Sequence, residues 1–226
     1  MSNDPLSPAD PPARRRLSAD ERRSQILATA RRLFVEEGVE NVSMRRIAAL
    51  AGVTPTLIYH HFADKESLLL AVCQNFFRGL IDASEAAMAA VPETEVPFGR
   101  LRRLMEGYVE FGLANPDVYR LVFMTKLAGL KREKMPSGHR PHPAEPALPE
   151  DQGFGLRAFG LLEGEIRRLI ESGHLRQDDA CAMAEVVWAT GHGIVSLLIT
   201  HGDFQWTPVD RLISLSIDTI LSGIAR

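Results

Sequence analysis

Only two cysteines occur in the 226 residues, Cys73 and Cys181, too few to build a disulfide framework. Both lie in apolar-periodic segments on separate expected helices, so they read as reduced, buried side chains, with a redox-sensing pair as the rival reading. Also missing is any unbroken apolar run near the roughly 18 residues that a bilayer span requires. The N-terminal stretch MSNDPLSPADPPARRR lacks the apolar centre of a secretory signal. These absences set the expectation of a cytoplasmic protein with no membrane partner. No segment alternates apolar and polar residues as a half-buried strand does, and no internal repeat is visible. There is no nucleophile elbow, phosphate loop or zinc-ligand spacing, so neither a metal nor a cofactor is expected.

Strong charge of one sign is absent too. The chain carries 26 Lys/Arg against 29 Asp/Glu, a net of −3. Residues 1–66 are slightly basic and the remainder slightly acidic, a contrast too small to identify a nucleic-acid binder. The positions of the arginines carry more information than their sum.

What is present is helical patterning throughout, and an all-α fold of about nine helices is expected. Residues 1–16 are rich in Pro, Ala and Ser and read as a flexible arm ending in Arg14, Arg15 and Arg16. The arginines are either an inert solubilising tail or a reach into a minor groove. Ser18 with Glu21 three residues on is a capping box that opens a helix ended by Gly38. Ser43 can cap a short second helix, and Thr54 a third with Pro55 at its first position, where the missing N–H costs nothing. Asp64 can cap a long fourth. Further helices are expected over 98–114, from 117 onward, over 154–172, from an Asp178 cap to 200, and over 209–225. Residues 131–152, with five prolines, read as a mobile loop.

The second and third helices flank a glycine turn, which is the layout of a helix-turn-helix reading head over 17–66. Ile58 and Phe62, with Ile47, Ala48 and Val53, supply the face that would hold the third helix rigid. Thr56, Tyr59 and His60 project from its other faces, and His61 turns toward the backbone or the head's own core. The capped helix ends at Ser43 and Thr54 offer N–H groups to phosphate oxygens, and Arg45 and Lys65 add charge at the two ends of the unit. Each has a plainer reading: Ser43 and Thr54 as caps alone, Tyr59 as half-buried packing, Arg45 as a solvated charge. Adjacent residues on a helix point roughly 100° apart, so His60 and His61 do not converge on one metal ion.

The stretch ILATARRLFVEEGVENVSMRRIAALAGVTPTLIYHHFADKESLL, 26–69, resembles the TetR family of transcriptional regulators. The likeness rests on Arg-Leu-Phe before Gly38, the Ile-Ala-x-x-Ala-Gly-Val turn, and the Tyr-x-His-Phe-x-x-Lys-Glu run. It implies backbone contacts from Ser43, Arg45, Tyr59 and Lys65. It implies base contacts mainly from Thr54, Pro55, Thr56, Leu57 and His60. Thr56 and Leu57 are bulkier than in many relatives, so the operator sequence does not carry over. Further along, VVWATGHGIVSLLI resembles a Trp-x-x-x-His-Gly signature of one class of C-terminal domains in that family, and NPDVYRLVFM fits the same class.

The resemblance implies a ligand-responsive DNA-binding regulator, a repressor acting as a dimer on a palindromic operator. Its body, 67–226, would dimerise through 179–201 and 209–224, the latter carrying more apolar residues than one face can bury. A small, mostly apolar effector would sit among Met105, Tyr108, Phe111, Tyr119, Phe123, Phe159, Leu162, Trp188 and His192, a set that equally fits plain core. His192 would bond either the ligand or a neighbouring backbone carbonyl. Gly191 and Gly193, each unfavourable inside a helix by about 1 kcal/mol, imply a close approach by a partner helix, a ligand or the protein's own core. Two alternatives stand: a binding module without DNA recognition, and an enzyme using His139, His142 and Glu145.

Overall fold

The computed structural model describes residues 17–92, 97–125 and 153–226. Arg14–Arg16 and the His139, His142 and Glu145 region lie outside these residues. The described chain is helical, and its single bridge in extended backbone joins Leu175 to Ala225.

Helix α1 (Ala19–Glu37) opens on the expected capping box. The Ser18 hydroxyl accepts from the Glu21 N–H, and the Glu21 carboxylate accepts from the Ser18 N–H. A 3₁₀ turn (Val39–Asn41) leads to α2 (Met44–Leu50), capped by Ser43, and then to α3 (Pro55–His61), capped by Thr54 with Pro55 first. Between α2 and α3, Gly52 adopts φ 62°, a left-handed turn that a side chain would strain. Asp64 and Ser67 cap each other at the start of α4 (Lys65–Ala89), which continues out of the head as one rod.

The body adds α5 (Gly99–Ala114), then α6 (Pro116–Tyr119), which widens into a π-helical turn over Arg120–Met124. A long continuous helix from 117 was expected; instead the described backbone turns extended at Thr125. Helices α7 (Phe154–Glu171), α8 (Ala180–Thr200) and α9 (Val209–Ile224) complete the chain. Asp179, not Asp178, caps α8. Its carboxylate accepts from the N–H groups of Cys181 and Ala182, while the Asp178 carboxylate accepts from the N–H of Asp179.

Three buried clusters hold these helices together. The head core joins α1, α2 and α3 to the first turns of α4 through Ile26, Leu33, Phe34, Ile47, Ile58, Phe62 and Leu68, and it also takes in Leu121 of the π turn. A second core packs α5, α7, α8 and α9 around Leu101, Ile166, Leu169 and Ile217. A third, smaller and aromatic, gathers Phe76, Val109, Val118, Tyr119 and Val195. Helix α8 is long and apolar enough to cross a membrane by length and composition alone. Here it packs on α5 and α7, with Val187 and Val195 buried and Val186 and Leu197 exposed.

Candidate functional site

Helix α3 is a short rod with one sealed side. Ile58 is fully buried, and Phe62 just beyond the helix is nearly so. The Arg23 guanidinium of α1 lies 4.3 Å over the Phe62 ring, a cation–π contact that pins the helix's exit. Thr54, Pro55, Thr56 and His60 are exposed, Tyr59 is 51% exposed, and Leu57 and His61 are half-buried. The Tyr59 side chain is thus about half uncovered. The His60 and His61 rings stand edge to face with centroids 5.6 Å apart, and no group of three metal-ligating side chains occurs among the described residues.

Two polar clamps brace this unit, and both escaped the sequence reading. Arg46 of α2 grips the Glu37 carboxylate of α1 with two guanidinium nitrogens at 2.7–3.1 Å. That hydrogen-bonded pairing holds the Glu37 carboxyl below its ordinary range. The Lys65 ammonium donates to the Val39 carbonyl at 2.9 Å, tying the start of α4 to the 3₁₀ turn. One of its three protons is thereby used and two remain to donate. Arg45, next to Arg46, is exposed and makes no described ion pair. The sequence holds the partners of both clamps but not the backbone path that brings them together.

In the body, seven of the nine nominated residues meet. The Phe123 ring lies 4.7 Å from Tyr119, 5.3 Å from His192 and 6.4 Å from Trp188, and Phe159 closes on Trp188 at 6.2 Å. Tyr108 packs on Tyr119, while Phe111 joins through Phe76, which with Phe77 was missed because both lie on α4, far away in sequence. Met105 and Leu162 belong to the neighbouring second core instead. An open cleft of about 620 Å³ lies elsewhere, between the end of α4, the start of α5 and the end of α9, and contains none of the nominated residues.

The aromatic cluster carries a chain of hydrogen bonds. The Trp188 indole N–H donates to the Tyr108 hydroxyl at 3.2 Å, the two tyrosine hydroxyls are 2.8 Å apart, and Tyr119 lies 2.6 Å from His192 Nδ1. Indole only donates, so the one arrangement giving both hydroxyl protons an acceptor runs Trp188 to Tyr108 to Tyr119 to Nδ1. That direction requires a neutral imidazole with its proton on Nε2. Burial favours the same state, lowering the basicity of His192 and pushing the Tyr108 and Tyr119 hydroxyls up. His192 thus accepts from a tyrosine at Nδ1, a bond that neither expected reading of its donor included.

The glycines divide. A Cβ at Gly191 would stand 3.2 Å from the Tyr108 ring, so the protein's own core explains it. Gly193 faces open space. Cys73 is buried, and burial raises its thiol to about 11, far from thiolate chemistry.

A family model for bacterial regulatory proteins of the tetR family matches residues 26–72, the head just described. A second, for a tetracyclin repressor-like C-terminal domain, matches 101–220, more than half of the chain. The chain belongs to the TetR family. This TetR-family protein is 35% identical over 108 residues to the transcriptional activator FasR of Mycolicibacterium smegmatis, covering 48% of each chain. To the transcriptional repressor AcnR of Corynebacterium diphtheriae it is 45% identical over 53 residues, 24% of this chain and 28% of that one. The matched stretches thus span about half or less of these relatives' length. A solved protein of unknown function from Rhodococcus sp. RHA1 superposes with TM-score 0.70 at 25% identity, covering 96% of this chain and 100% of that one.

Proposed function

We propose that this TetR-family chain is a cytoplasmic, non-enzymatic transcriptional repressor that binds a palindromic operator as a dimer and releases it when a small, mostly apolar ligand enters the body. The observation that carries this is the two-sided character of α3. A fully buried Ile58 holds the helix rigid while Thr56, Tyr59 and His60 stand in the open. A helix that reads bases needs both properties at once. In this reading residues 17–66 are the head and 67–226 the body. Thr54, Pro55, Thr56, Leu57 and His60 face base edges, with His61 beside them. Ser43, Arg45, Tyr59 and Lys65 hold the backbone.

The dimer would form on α8 and α9. Both keep large apolar side chains in the open, Val186 and Leu197 on α8 and Val209 and Leu215 on α9. A two-fold pair also matches a palindrome read by two heads. Leu215→Arg should therefore give a monomer at micromolar concentration by sedimentation, while Thr56→Ala stays dimeric. A monomeric parent protein would contradict the assignment.

Ligand response would run through the π turn. Tyr119 and Phe123 belong to the aromatic cluster, whereas Leu121 between them lies in the head core and Val122 touches both. Rearranging the cluster would shift the base of the head and so favour one spacing of the two heads.

The test begins with selection of bound sequences from random DNA. On the selected site, Arg45→Ala should weaken binding to every sequence alike and lower the salt slope by about one. Thr56→Ala and His60→Ala should change base preference by roughly 1–3 kcal/mol at particular positions. Unaltered affinity in all three variants would remove the reading head. FasR, the activator, marks the opposite sign of control, and loss of transcription from the selected operator when the protein is removed would favour activation over repression.

A further inference from the structure

The hydrogen-bond chain in the body has an unused end. The Trp188 N–H and both tyrosine hydroxyl protons are consumed in passing from Trp188 to His192. What remains is the proton on Nε2 of His192, for which no described residue provides an acceptor. The ring is not sealed: His192 is half-buried, as are Phe77, Tyr108, Phe111, Phe123, Phe159 and Trp188 around it, while Tyr119 beneath is closed off. The result is a half-buried cage of packed aromatic rings with one fixed donor.

No positive charge accompanies that donor among the described residues. The cations of the surrounding helices are engaged elsewhere. Arg78 and Arg157 lie over the Phe154 ring, and Arg120 bonds Asp117 and the Ile199 carbonyl. Arg100 and Arg168 approach Glu165, Arg102 meets Asp218, Arg103 meets Glu106 and Arg167 meets Glu163. A carboxylate brought into this cage would lose water and find no counter-charge among the described residues. A neutral carbonyl oxygen needs one donor only, and aromatic edges and faces suit an apolar body beside it.

We propose that the effector is an uncharged, mostly apolar carbonyl compound whose oxygen accepts the Nε2 proton of His192, held in that tautomer by Tyr119. This deepens the ligand-response reading given above and rests on it. The Trp188–Tyr108–Tyr119 chain is a positioning device: it sets which ring nitrogen carries the proton and which way the ring faces. Selectivity follows, because an analogue without the oxygen leaves a desolvated donor unpaired.

The experiment uses three probes of ten carbons each: butyrophenone, butylbenzene and 4-phenylbutyrate, titrated calorimetrically into the full chain. Butyrophenone should bind at least tenfold more tightly than either of the others. His192→Phe, which keeps an aromatic ring in place, should reduce butyrophenone to the affinity of butylbenzene and leave butylbenzene unchanged. Tyr119→Phe should erode the preference while keeping the packing, and two-bond ¹H–¹⁵N spectra should show the His192 tautomer becoming mixed. Equal binding of ketone and hydrocarbon, or a ketone preference that survives His192→Phe, would overturn the carbonyl assignment and leave a ligand site in place. Tightest binding of 4-phenylbutyrate would overturn it in favour of an anionic effector. Binding of none of the three would overturn both the carbonyl assignment and the cage as receptor. DNA binding, measured on the selected operator, stands or falls separately.

Discussion

Ile58→Ala should destabilise the head by about 2–5 kcal/mol, the range for truncating a fully buried aliphatic side chain to alanine. Ile58 is the one fully buried residue of α3, so no other side chain of that helix replaces it. Removing three heavy atoms leaves a void against a core that includes Ile47, Ala48 and Phe62. The second core shares none of these residues, and of the third only the half-buried Val122 also touches the head core. Urea unfolding followed by circular dichroism should therefore resolve an early transition for the head and a later one for the body. Operator affinity should fall with the first. A variant with unchanged stability and unchanged operator affinity would show that α3 does not depend on this anchor.

The second large effect belongs to the crossing of α5 and α8. A Cβ placed on Gly112 would come within 2.7 Å of Val195 Cγ1, 3.0 Å of Cγ2 and 3.2 Å of the Tyr119 ring. Val195 is fully buried and β-branched, so its side chain has essentially one rotamer in a helix and no room to turn. Gly112→Leu should therefore cost about 2–3 kcal/mol by overpacking, well beyond the roughly 0.8 kcal/mol that leucine gains over glycine as a helix former. Chemical denaturation measures the loss. The milder Gly112→Ala should be rescued by Val195→Ala, with a coupling of at least about 1 kcal/mol in the double-mutant cycle. Independent, additive effects of the two substitutions would mean that the helices do not approach at this point.

The ease with which the sequence could be read follows the range of each interaction. Ser18, Ser43, Thr54 and Asp64 act on N–H groups two or three residues away, so their caps and the helix starts were visible as local patterns. The buried stripe of Ile47, Ala48, Ile58 and Phe62 follows from helical period and turn chemistry alone. Where two neighbouring aspartates compete for one cap, as Asp178 and Asp179 do, backbone dihedral angles decide, and sequence does not contain them. The π turn is a similar case, since an extra residue per turn leaves no compositional mark. Long-range pairings were the least legible. Phe76 and Phe77 reach the aromatic cluster from α4, where nothing in the local pattern singles them out from the other apolar residues of that helix. Gly112 meets Val195 across two helices, a closeness no local pattern marks, while the more conspicuous Gly193 faces open space. Met105 and Leu162 had the right spacing but pack in the second core.

The π turn over Arg120–Met124 has a consequence for dosage. Its residues serve two cores at once, with Leu121 in the head and Phe123 among the aromatic rings. Coupling through a shared element is reciprocal: whatever factor ligand imposes on operator affinity, operator imposes on ligand affinity. A copy seated on its operator would then respond at a higher effector concentration than a copy free in solution, by that same factor. Free copies would act as a buffer that fills first, and the threshold for release would rise with the number of protein molecules per operator.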